Sequence, residues 1–419
     1  MALSETSPPR LGAWRVVWWF GFVSLAADMV YEGARSMYGP VLAALGASAA
    51  VVGLVTGAGE AMALVLRLVF GPVADRTGRY WTLTIVGYGL TAVCVPLLFL
   101  SPRLGAAGLA FAVTMILLER LGKAVRSPSK SALLAHVAGA VGRGRGFGVH
   151  KALDQVGAFA GPLLVAAVVA ASTLWAGMAV LAIPGAVAMA LLLALRLKVP
   201  DPSVYDATPG STQGSTQGTA PAAGPSRGWW ADAVGAGLPR DFFAYAVAAS
   251  LTTGALVTFG IIGYHLTVDG IVPVAAVPLV YAGAMAVEAV AALLVGWTYD
   301  RLGARILLVV PVLVALVPAL ALGPTPALVV AGVVVWGFAH GVQDSTVKAA
   351  VADLVDAPRR ATAYGVFAGI QGLLAIVGGA GAGWLYDRSL TALVVVVAVS
   401  QVAALVLLVR TFRRSARPR

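Results

Sequence analysis

Two carboxylates and a guanidinium interrupt a long apolar run near the start of the chain. Asp28 and Glu32 are four residues apart and share one face of a predicted helix, and Arg35 lies three residues beyond Glu32. A charge in the middle of a membrane-spanning helix costs about 2.5–3.5 kcal/mol on insertion scales, so it usually faces a cavity or a partner. A carboxyl group in such a cavity holds its proton more tightly, and a nearby arginine loosens it. The spacing therefore predicts reversible proton binding.

Ionisable residues interrupt other apolar runs in the same way. Glu60 and Arg67 are seven residues apart on one helix face. The remaining positions are Glu119, Arg120, Lys123, Arg126, Lys130, His150, Lys151, Asp154, His265, Glu288, His340, Asp344 and Lys348. The first half of the chain holds five carboxylates in or beside apolar runs and the second half holds two, so we expect proton handling in the first half.

The composition indicates that these charges lie in a membrane protein. Hydrophobic residues make up 59% of the 419 residues and charged residues 11%, and the mean hydropathy is +0.89, values far outside the range of soluble domains. Apolar stretches of about 20 residues are long enough to cross a bilayer core. Twelve such stretches start near residues 14, 50, 81, 107, 152, 174, 242, 275, 305, 326, 362 and 390.

Two further features of the sequence bound its organisation. The single cysteine, Cys94, excludes a disulfide framework and a thiolate metal site. Residues 198–240 are rich in Pro, Gly, Ser, Thr and Gln and contain a direct GSTQ repeat, which is typical of a flexible linker. We therefore predict a six-helix bundle over residues 1–197, a cytoplasmic linker over 198–240 and a second six-helix bundle over 241–419.

The basic residues predict the orientation of the chain. With both termini on one side of the membrane, twenty Arg and Lys residues lie on that side and only Arg103 and Arg388 on the other. The positive-inside rule then places both termini and the linker in the cytoplasm. This topology accounts for the net charge of +11 without a nucleic-acid partner. Arg outnumbers Lys by 24 to 5, which suggests a GC-rich genome and a bacterial plasma membrane.

The two halves of the chain contain matching segments. The motif Gly71-Pro-Val-Ala-Asp75-Arg76-Thr-Gly78-Arg79 follows the second apolar stretch, and Gly296-Trp-Thr-Tyr-Asp300-Arg301-Leu-Gly303-Ala-Arg305 follows the eighth. The aspartates of the two copies are 225 residues apart. A second match, 217 residues apart, pairs Phe147-Gly148-Val149 with Tyr364-Gly365-Val366 and carries Gly161 onto Gly378. Two halves in the same orientation are predicted, related by an axis along the membrane normal.

The D-R-x-G-x-R motif resembles the loop signature of the major facilitator superfamily. In addition, Gly157-Ala-Phe-Ala-Gly161-Pro162 resembles an antiporter signature, although Val165 and Ala166 replace its last two glycines. The resemblance covers essentially the whole chain. It implies an all-α membrane protein with twelve transmembrane helices in two pseudo-symmetric six-helix bundles, which rock around a midplane cavity to give alternating access.

Candidate residues follow for three roles. Asp28 has no base three or four residues away and is the favoured titrating group, and Asp28 or Glu32 against Arg120 is the predicted switch. The pairs Glu32–Arg35 and Glu60–Arg67 could instead be static, and Trp336 could line the cavity or only pack. The proton-coupling set is Asp28, Glu32, Arg120 and Glu60. The substrate-cavity set is Tyr31, Arg35, Glu119, Lys123, Asp154, His265, Glu288, Trp336, His340 and Asp344.

The third role is gating. Gly71 and Gly78 are expected to allow a tight turn, and Asp75 to cap a helix start while its arginines bridge to the opposite bundle and close the cytoplasmic side. The alternative is that this segment only sets topology. The gating set is Gly71, Asp75, Arg76, Gly78, Arg79, Asp300, Arg301, Gly161 and Pro162.

These features predict a secondary transporter, proton-coupled, that exports a small amphipathic or lipophilic molecule. The alternatives are an importer or facilitator of a polar metabolite and, third, a lipid translocase or a membrane-embedded enzyme. The motifs H-E-x-x-H, G-x-S-x-G and G-x-x-x-x-G-K-[ST] are absent from the sequence, which argues against an enzyme and against ATP as the energy source. We expect no cofactor and no metal, and a monomer whose partners are its substrate, protons and membrane lipids.

Overall fold

The computed structural model describes residues 11–206, 237–356 and 359–415 of the chain, and its regular secondary structure in these ranges is helical. We number the membrane-crossing segments as spans 1–12. The first six are span 1 (Ala13–Arg35 and Tyr38–Ala44), span 2 (Ala49–Thr77), span 3 (Tyr80–Leu97), span 4 (Gly108–Val141), span 5 (Arg143–Ala171) and span 6 (Leu174–Ala179 and Ala182–Lys198). The other six are span 7 (Arg240–Ala255 and Phe259–Val268), span 8 (Val277–Leu302), span 9 (Val309–Ala321), span 10 (Pro326–Leu354), span 11 (Arg360–Tyr386) and span 12 (Leu390–Ser415).

Hydropathy predicted these helices well, and the all-α fold is confirmed. Most spans begin within a few residues of the predicted starts, but span 5 begins at Arg143, nine residues before the predicted residue 152. The polar stretch from Arg143 to Lys151 is typical of a loop by hydropathy, yet it continues the apolar helix without a break. Most of the predicted linker, residues 207–236, lies outside the described residues.

Spans 3 and 4 are joined by a helical connection rather than an open loop. Tyr80–Val141 is a single apolar helical stretch of 62 residues, about 93 Å at 1.5 Å per residue, whereas a bilayer core is about 30 Å thick. The turn between the two crossings is the 3-10 segment Leu98–Ala107. Within it, Gly105 has φ 54° and ψ −127°, which a side chain would disfavour. Counting this stretch as two, the described residues contain twelve crossings.

The ends of the spans define two faces of the molecule. The basic face carries the span ends at Ala13, Thr77, Val141, Lys198 and Arg240, and the opposite face carries those at Ala44, Ala49, Ala171, Val268 and Tyr386. Span 2 ends on the basic face at Gly78, whose φ of 62° lies in the left-handed region. The tight turn predicted at Gly78 is therefore confirmed.

The predictions for Gly71 and Asp75 at this turn are wrong. Both residues lie within span 2, because the helix continues to Thr77. Asp75 does not cap the next helix; its Oδ1 accepts a hydrogen bond from the Tyr80 hydroxyl at 3.0 Å. The helix runs past the motif because its only strong terminator is Gly78.

Glycines bring equivalent spans together in both halves. A Cβ atom at Gly161 of span 5 would overlap the backbone of Met29 in span 1. A Cβ atom at Gly378 of span 11 would likewise overlap the backbone of Gly254 in span 7. Small residues allow such close helix contacts in membranes, where lipid offers no hydrophobic driving force. The sequence match that carries Gly161 onto Gly378 thus corresponds to the same helix contact in each half.

The two halves meet tightly at the opposite face. Gly53 and Gly57 of span 2 pack on the backbone of span 11 at Gly379 and Ala375. The Asp387 carboxylate, which follows span 11, accepts hydrogen bonds from the first amides of span 2, Ala49 N at 3.2 Å and Ala50 N at 3.0 Å. This carboxylate caps a helix of the other half, where backbone donors have no partner within their own helix. Spans 2 and 11 therefore seal the opposite face, and we call their contact the glycine seam.

The space between the halves opens toward the basic face. The side chain of Arg120 at mid-depth is 3% exposed, whereas that of Lys151, nearer the basic-face end of span 5, is 67% exposed. The hydrogen bonds between halves among the described residues lie at the opposite face or at mid-depth, as in the 2.8 Å contact between the Thr56 and Thr258 hydroxyls.

Candidate coupling and substrate site

Span 1 places the opening charges at mid-depth, where they meet residues of spans 2, 4 and 8. Arg35 forms an ion pair with Glu60 of span 2 at 2.8 Å and a second with Glu32 of its own helix at 3.7 Å. Glu32 also accepts a hydrogen bond from the Tyr281 hydroxyl of span 8. One guanidinium thus joins two carboxylates, and a tyrosine links them to the second half.

Arg120 of span 4 lies beside this group. It forms ion pairs with Glu60 and Glu119, each at 3.5 Å, and donates a hydrogen bond to the Tyr31 hydroxyl. Glu119 is completely buried and lies 3.3 Å from the Tyr38 hydroxyl. We refer to Glu32, Arg35, Glu60, Glu119 and Arg120 as the central network. Each of its charges lies within 4.0 Å of an opposite charge, as a low-dielectric site requires.

Two pairings expected from the sequence are not formed. Arg120 does not contact Asp28 or Glu32, because its aliphatic stem lies on Gly59 of span 2, which directs the guanidinium toward Glu60. Glu60 does not pair with Arg67, since seven residues separate them by about 10 Å along the helix axis. The Glu32–Arg35 pair is present.

A second polar group lies nearer the basic face, between spans 1, 4 and 5. Arg126 approaches Asp28 at 3.9 Å, and Lys130 approaches Asp154 at 3.9 Å. Ser24 donates to Asp154 at 2.6 Å and accepts from Lys130 at 3.0 Å. We refer to Asp28, Asp154, Arg126, Lys130 and Ser24 as the paired-aspartate cluster. Asp28 has no base three or four residues away on its own helix, as predicted, but span 4 supplies two bases and span 5 a second carboxylate.

The two aspartates of this cluster lie near each other. Ser24, one helical turn before Asp28 on span 1, donates to Asp154 of span 5 at 2.6 Å. Neighbouring carboxylates disfavour ionisation of each other, whereas neighbouring bases favour it. Lys151 adds a third cation 3.7 Å from Asp154. The cluster is therefore a place where one proton can be held or lost.

Several polar partners in these groups are missing from the sequence predictions. Arg126 donates to the Thr91 hydroxyl and lies over the Tyr88 ring, 4.7 Å from its centre. Both partners belong to span 3, and Ser24 and Tyr38 contribute from span 1. Hydroxyl groups in apolar helices give no charge signal, so only their position beside buried bases identifies them.

Among the described cations that interrupt the apolar runs of the first half, Arg67 and Lys123 have no carboxylate within 4.0 Å. The Lys123 ammonium lies over the Tyr31 ring, 3.6 Å from its centre. The Arg67 Nε atom is buried and makes no hydrogen bond. These side chains are the least neutralised charges of the interior.

The second half presents a mostly neutral wall to the cavity. Glu288 of span 8 lies 3.3 Å from His340 of span 10, and these side chains are 18% and 30% exposed. Thr253 donates to the Gln343 carbonyl at 2.9 Å and accepts from the Gln371 amide at 3.2 Å. His340 therefore pairs with span 8, while Asp344 lies one turn further along span 10 and is exposed.

Two residues predicted to line the cavity lie elsewhere. Trp336 is 1% exposed; its Nε1 donates to the Val257 carbonyl at 2.8 Å, and it stacks on His340. Trp336 therefore packs behind His340 and does not itself line the cavity. His265 lies near the opposite-face end of span 7, where it is buried against Tyr386 at 2.9 Å and the Gly323 carbonyl at 3.0 Å. Its distance from mid-depth follows from its position three residues before the end of the helix at Val268.

The gating residues occupy two places. Asp75, Arg76 and Arg79 are exposed on the basic face, and the side chain of Asp300 lies outside the described residues. Gly161 and Pro162 lie within span 5, where Gly161 packs on span 1.

Two cavities lie away from the charges. An apolar crevice of about 570 Å³ at the opposite face is lined by Pro40, Val169, Leu174 and Val274, among others. A cavity of about 610 Å³ at the basic-face end of span 1 is lined by Trp18, Trp19 and Phe22. Within the described ranges, no cluster of His, Cys, Asp and Glu is suited to holding a metal ion. No member of the central network lines either of these two cavities.

Comparison with known proteins agrees with this architecture. The family model of the Major Facilitator Superfamily matches residues 20–287 and 241–419. The uncharacterized protein Rv2265 of Mycobacterium tuberculosis (strain H37Rv) is 48% identical over 403 residues, which cover 96% of this chain and 93% of that protein.

Solved structures show the same fold at low sequence identity. The nucleoside transporter NupG aligns with a TM-score of 0.70 at 16% identity, covering 96% of this chain and 100% of that one. The peptide transporter POT in complex with sulfate aligns with a TM-score of 0.73 at 17% identity, covering 95% and 94%.

Proposed function

Since the chain belongs to the major facilitator superfamily, we propose that it is a proton-coupled secondary transporter that exports a small amphipathic or lipophilic molecule by alternating access. The protein is a multi-pass membrane transporter of this superfamily, so the proposal concerns its coupling ion, direction and substrate. The paired-aspartate cluster is the observation that carries proton coupling. The antiporter-like glycines of span 5 support export, because Gly157 and Gly161 pack on span 1 on either side of Asp28.

The cluster offers a simple coupling step. A proton on Asp28 removes the repulsion between its carboxyl group and the neighbouring Asp154 carboxylate. When that proton leaves, the two carboxylates repel each other, and Asp28 is drawn toward Arg126, now 3.9 Å away. Proton release thus changes the partners of a side chain on span 1, the helix that also carries Glu32 and Arg35 of the central network. Protonation at one site can in this way alter the shape of the substrate space.

Transport in liposomes tests this proposal. Candidate substrates come from a thermal-shift screen of purified protein at two pH values, since a ligand that binds the folded state raises its melting temperature. Asp28→Asn should abolish gradient-driven transport but retain substrate binding, because the amide resembles the protonated acid. Glu288→Gln, in the second half, should retain gradient-driven transport. Full gradient-driven transport by Asp28→Asn would remove Asp28 as the coupling residue.

One observation favours import of a polar metabolite as a second candidate. Thr253, Gln343 and Gln371 form a neutral hydrogen-bonding wall that a polar solute could use. Flux of the same compound in right-side-out and inside-out vesicles separates the two candidates. Uptake into right-side-out vesicles, driven by external acid, would reject export.

Topology, gating and assembly complete the proposal. The basic face lies in the cytoplasm of a bacterial cell, the Asp75 turn closes that face in the alternate state, and the protein works as a monomer in contact with lipids. A cysteine at Ser389 should react from outside intact cells, with little background because the native Cys94 is buried. Reaction from the inside alone would reverse the orientation.

A further inference from the structure

His265 has a polar partner beside each of its ring nitrogens. It lies near the end of span 7 at the opposite face, and its side chain is 5% exposed. Nε2 lies 3.0 Å from the Gly323 carbonyl oxygen, in the turn between spans 9 and 10. Nδ1 lies 2.7 Å from Oδ2 of Asp269 and 2.9 Å from the Tyr386 hydroxyl at the end of span 11. One imidazole thus joins three segments of the second half.

The hydrogen bonds around this ring require a proton on both nitrogens. A carbonyl oxygen only accepts, so Nε2 must donate to Gly323. The Tyr386 hydroxyl donates its single hydrogen to Oδ2 of Asp269 at 3.0 Å. It therefore has no hydrogen left for Nδ1, which must donate as well. The ring of His265 is thus an imidazolium beside a carboxylate.

Loss of one proton would break this arrangement. Neutral His265 would keep its Nε2 hydrogen on Gly323 and turn the Nδ1 lone pair toward the Asp269 carboxylate, 2.7 Å away. The Tyr386 hydrogen could then serve the imidazole or the carboxylate, but not both. The neutral form thus loses an ion pair and one hydrogen bond. Histidine changes charge between about pH 5 and pH 8, so this loss falls within the physiological range.

The other titratable groups around this imidazole are acidic or weakly acidic. The Tyr264 ring lies 6.0 Å from the Tyr386 ring. The Asp387 carboxylate is directed to span 2, which it caps. The guanidinium of Arg388 lies over the Trp384 ring, 4.0 Å from its centre. The last helical segment of span 1 and the turn between spans 9 and 10 contain no charged residue.

The ring lies where the second half touches the first. Directly before His265, the backbone of span 7 at Gly260 and Tyr264 packs on Gly39 of span 1. Directly after Tyr386, the Asp387 carboxylate accepts hydrogen bonds from the first amides of span 2. His265 therefore ties together two helix ends, those of spans 7 and 11, each of which contacts the first half.

We propose that His265 is a proton-binding site that controls the seal at the opposite face. The protonated ring holds the ends of spans 7 and 11 together and keeps this face closed, and release of the proton favours its opening. Asp269, whose side chain is 47% exposed, connects the buried ring with water. On the proposed topology, the ring responds to the pH outside the cell. The inference goes beyond the proposed function, since it requires only that this face opens and depends on no coupling ion, direction or substrate.

The pH dependence of the seal tests this site. A reference chain carries Val52→Cys, because Val52 is buried beside the glycine seam. Maleimide labelling is followed in neutral detergent at about pH 5 and about pH 8, the limits of the histidine transition. Each rate is divided by the rate for protein unfolded in dodecyl sulfate at the same pH, which cancels the titration of the thiol itself. Melting temperatures at both pH values are the second readout.

We expect the normalised labelling of the reference chain to be on the order of tenfold faster at the higher pH, because bonds to a charged group are lost. His265→Gln should label at the faster rate at both pH values, since its amide cannot take up the proton. Its melting temperature should fall below that of the reference chain by more at the lower pH than at the higher one. His136→Gln is the matched control, because His136 lies at the basic face, 2.5 Å from Asp206, and this variant should keep the full response.

Two results would overturn the assignment. If His265→Gln keeps the response of the reference chain, the titrating group lies elsewhere. If the reference chain and His265→Gln differ in melting temperature by the same amount at both pH values, the ring has only a structural role. The second result decides the question even where Val52→Cys is not labelled at either pH. Because neither readout uses a substrate or a proton gradient, a failure of coupling in Asp28→Asn leaves this site standing.

Discussion

The two halves of this transporter share a backbone plan but differ in their interior chemistry. Span 5 approaches span 1 at Gly161 as span 11 approaches span 7 at Gly378. Around these equivalent contacts, the first half places twelve charged side chains from Asp28 to Asp154. Nine of them belong to the central network and the paired-aspartate cluster, and the other three are Arg67, Lys123 and Lys151. At the corresponding depth, the described part of the second half offers the pair of Glu288 with His340 and a wall of amides and hydroxyls.

This difference indicates that the two halves have different roles. Helix contacts made by glycine depend on backbone geometry and are preserved in both copies. Charges depend on the chemistry of a particular ligand, and one set is sufficient when the two halves enclose a common space. The first half is therefore suited to titration and charge recognition, and the second half to shaping the cavity.

Removal of Arg120 should have the largest effect, because it leaves the buried Glu119 without an ionic partner. We expect Arg120→Leu to destabilise the protein by about 3–5 kcal/mol, the range for breaking a buried ion pair from one side. His340→Leu removes one partner of the more exposed Glu288–His340 pair in the second half. This variant should lose less stability than Arg120→Leu. Thermal melts in detergent compare the two. Equal losses would contradict the contrast between the halves.

Tyr281→Phe tests the link between the central network and the second half. The variant removes the hydrogen bond to Glu32, and a bond to a charged group contributes about 1.5–3 kcal/mol. The state closed at the opposite face should be destabilised, so a cysteine at the buried Val52 should label faster. Tyr88→Phe is the control, because the Tyr88 hydroxyl is buried without a hydrogen-bond partner. Unchanged labelling in Tyr281→Phe would show that the link does not hold the halves together.

Gly161→Val and Gly378→Val test the shared backbone plan. Each added side chain would overlap a neighbouring backbone, and overpacking of this kind costs about 1–3 kcal/mol. We expect similar losses of melting temperature for both. Gly381→Val serves as the control, since a Cβ atom at Gly381 meets open space. A large loss of melting temperature in only one of the two variants would contradict the equivalence of these helix contacts.

Asp75→Asn should have the smallest effect. Asp75 and Tyr80 are at the exposed basic face in this state, so the melting temperature should hardly change. If the turn closes the basic face in the alternate state, the variant should lose about 1 kcal/mol of that closure. It should then turn over more slowly and label faster at a cysteine replacing Lys151, with Asp300→Asn doing so less. If both variants are labelled at the wild-type rate, the turn has no gating role and only sets the topology.

The sequence was sufficient for the fold but not for the pairings. Span positions follow from hydropathy, because each crossing must hide its backbone from lipid along its full length. Partner choice depends on how neighbouring helices are rotated. Arg120 follows Glu119 directly, yet it turns to span 2 because Gly59 leaves room for its stem. Arg126 and Lys130, which face Asp28 and Asp154, come from span 4, so no local spacing could have identified these two bases.

The glycine seam has a consequence for the speed of the transport cycle. Gly53, Gly57 and Gly379 meet backbone to backbone, so few side chains interlock there and few rotamers must change when the spans separate. Each pair of touching atoms contributes only about 0.1–0.2 kcal/mol of attraction. The activation barrier for parting the two helices should accordingly rise gradually, without one dominant obstacle. Turnover would then be limited by events at the charged interior rather than by the seal.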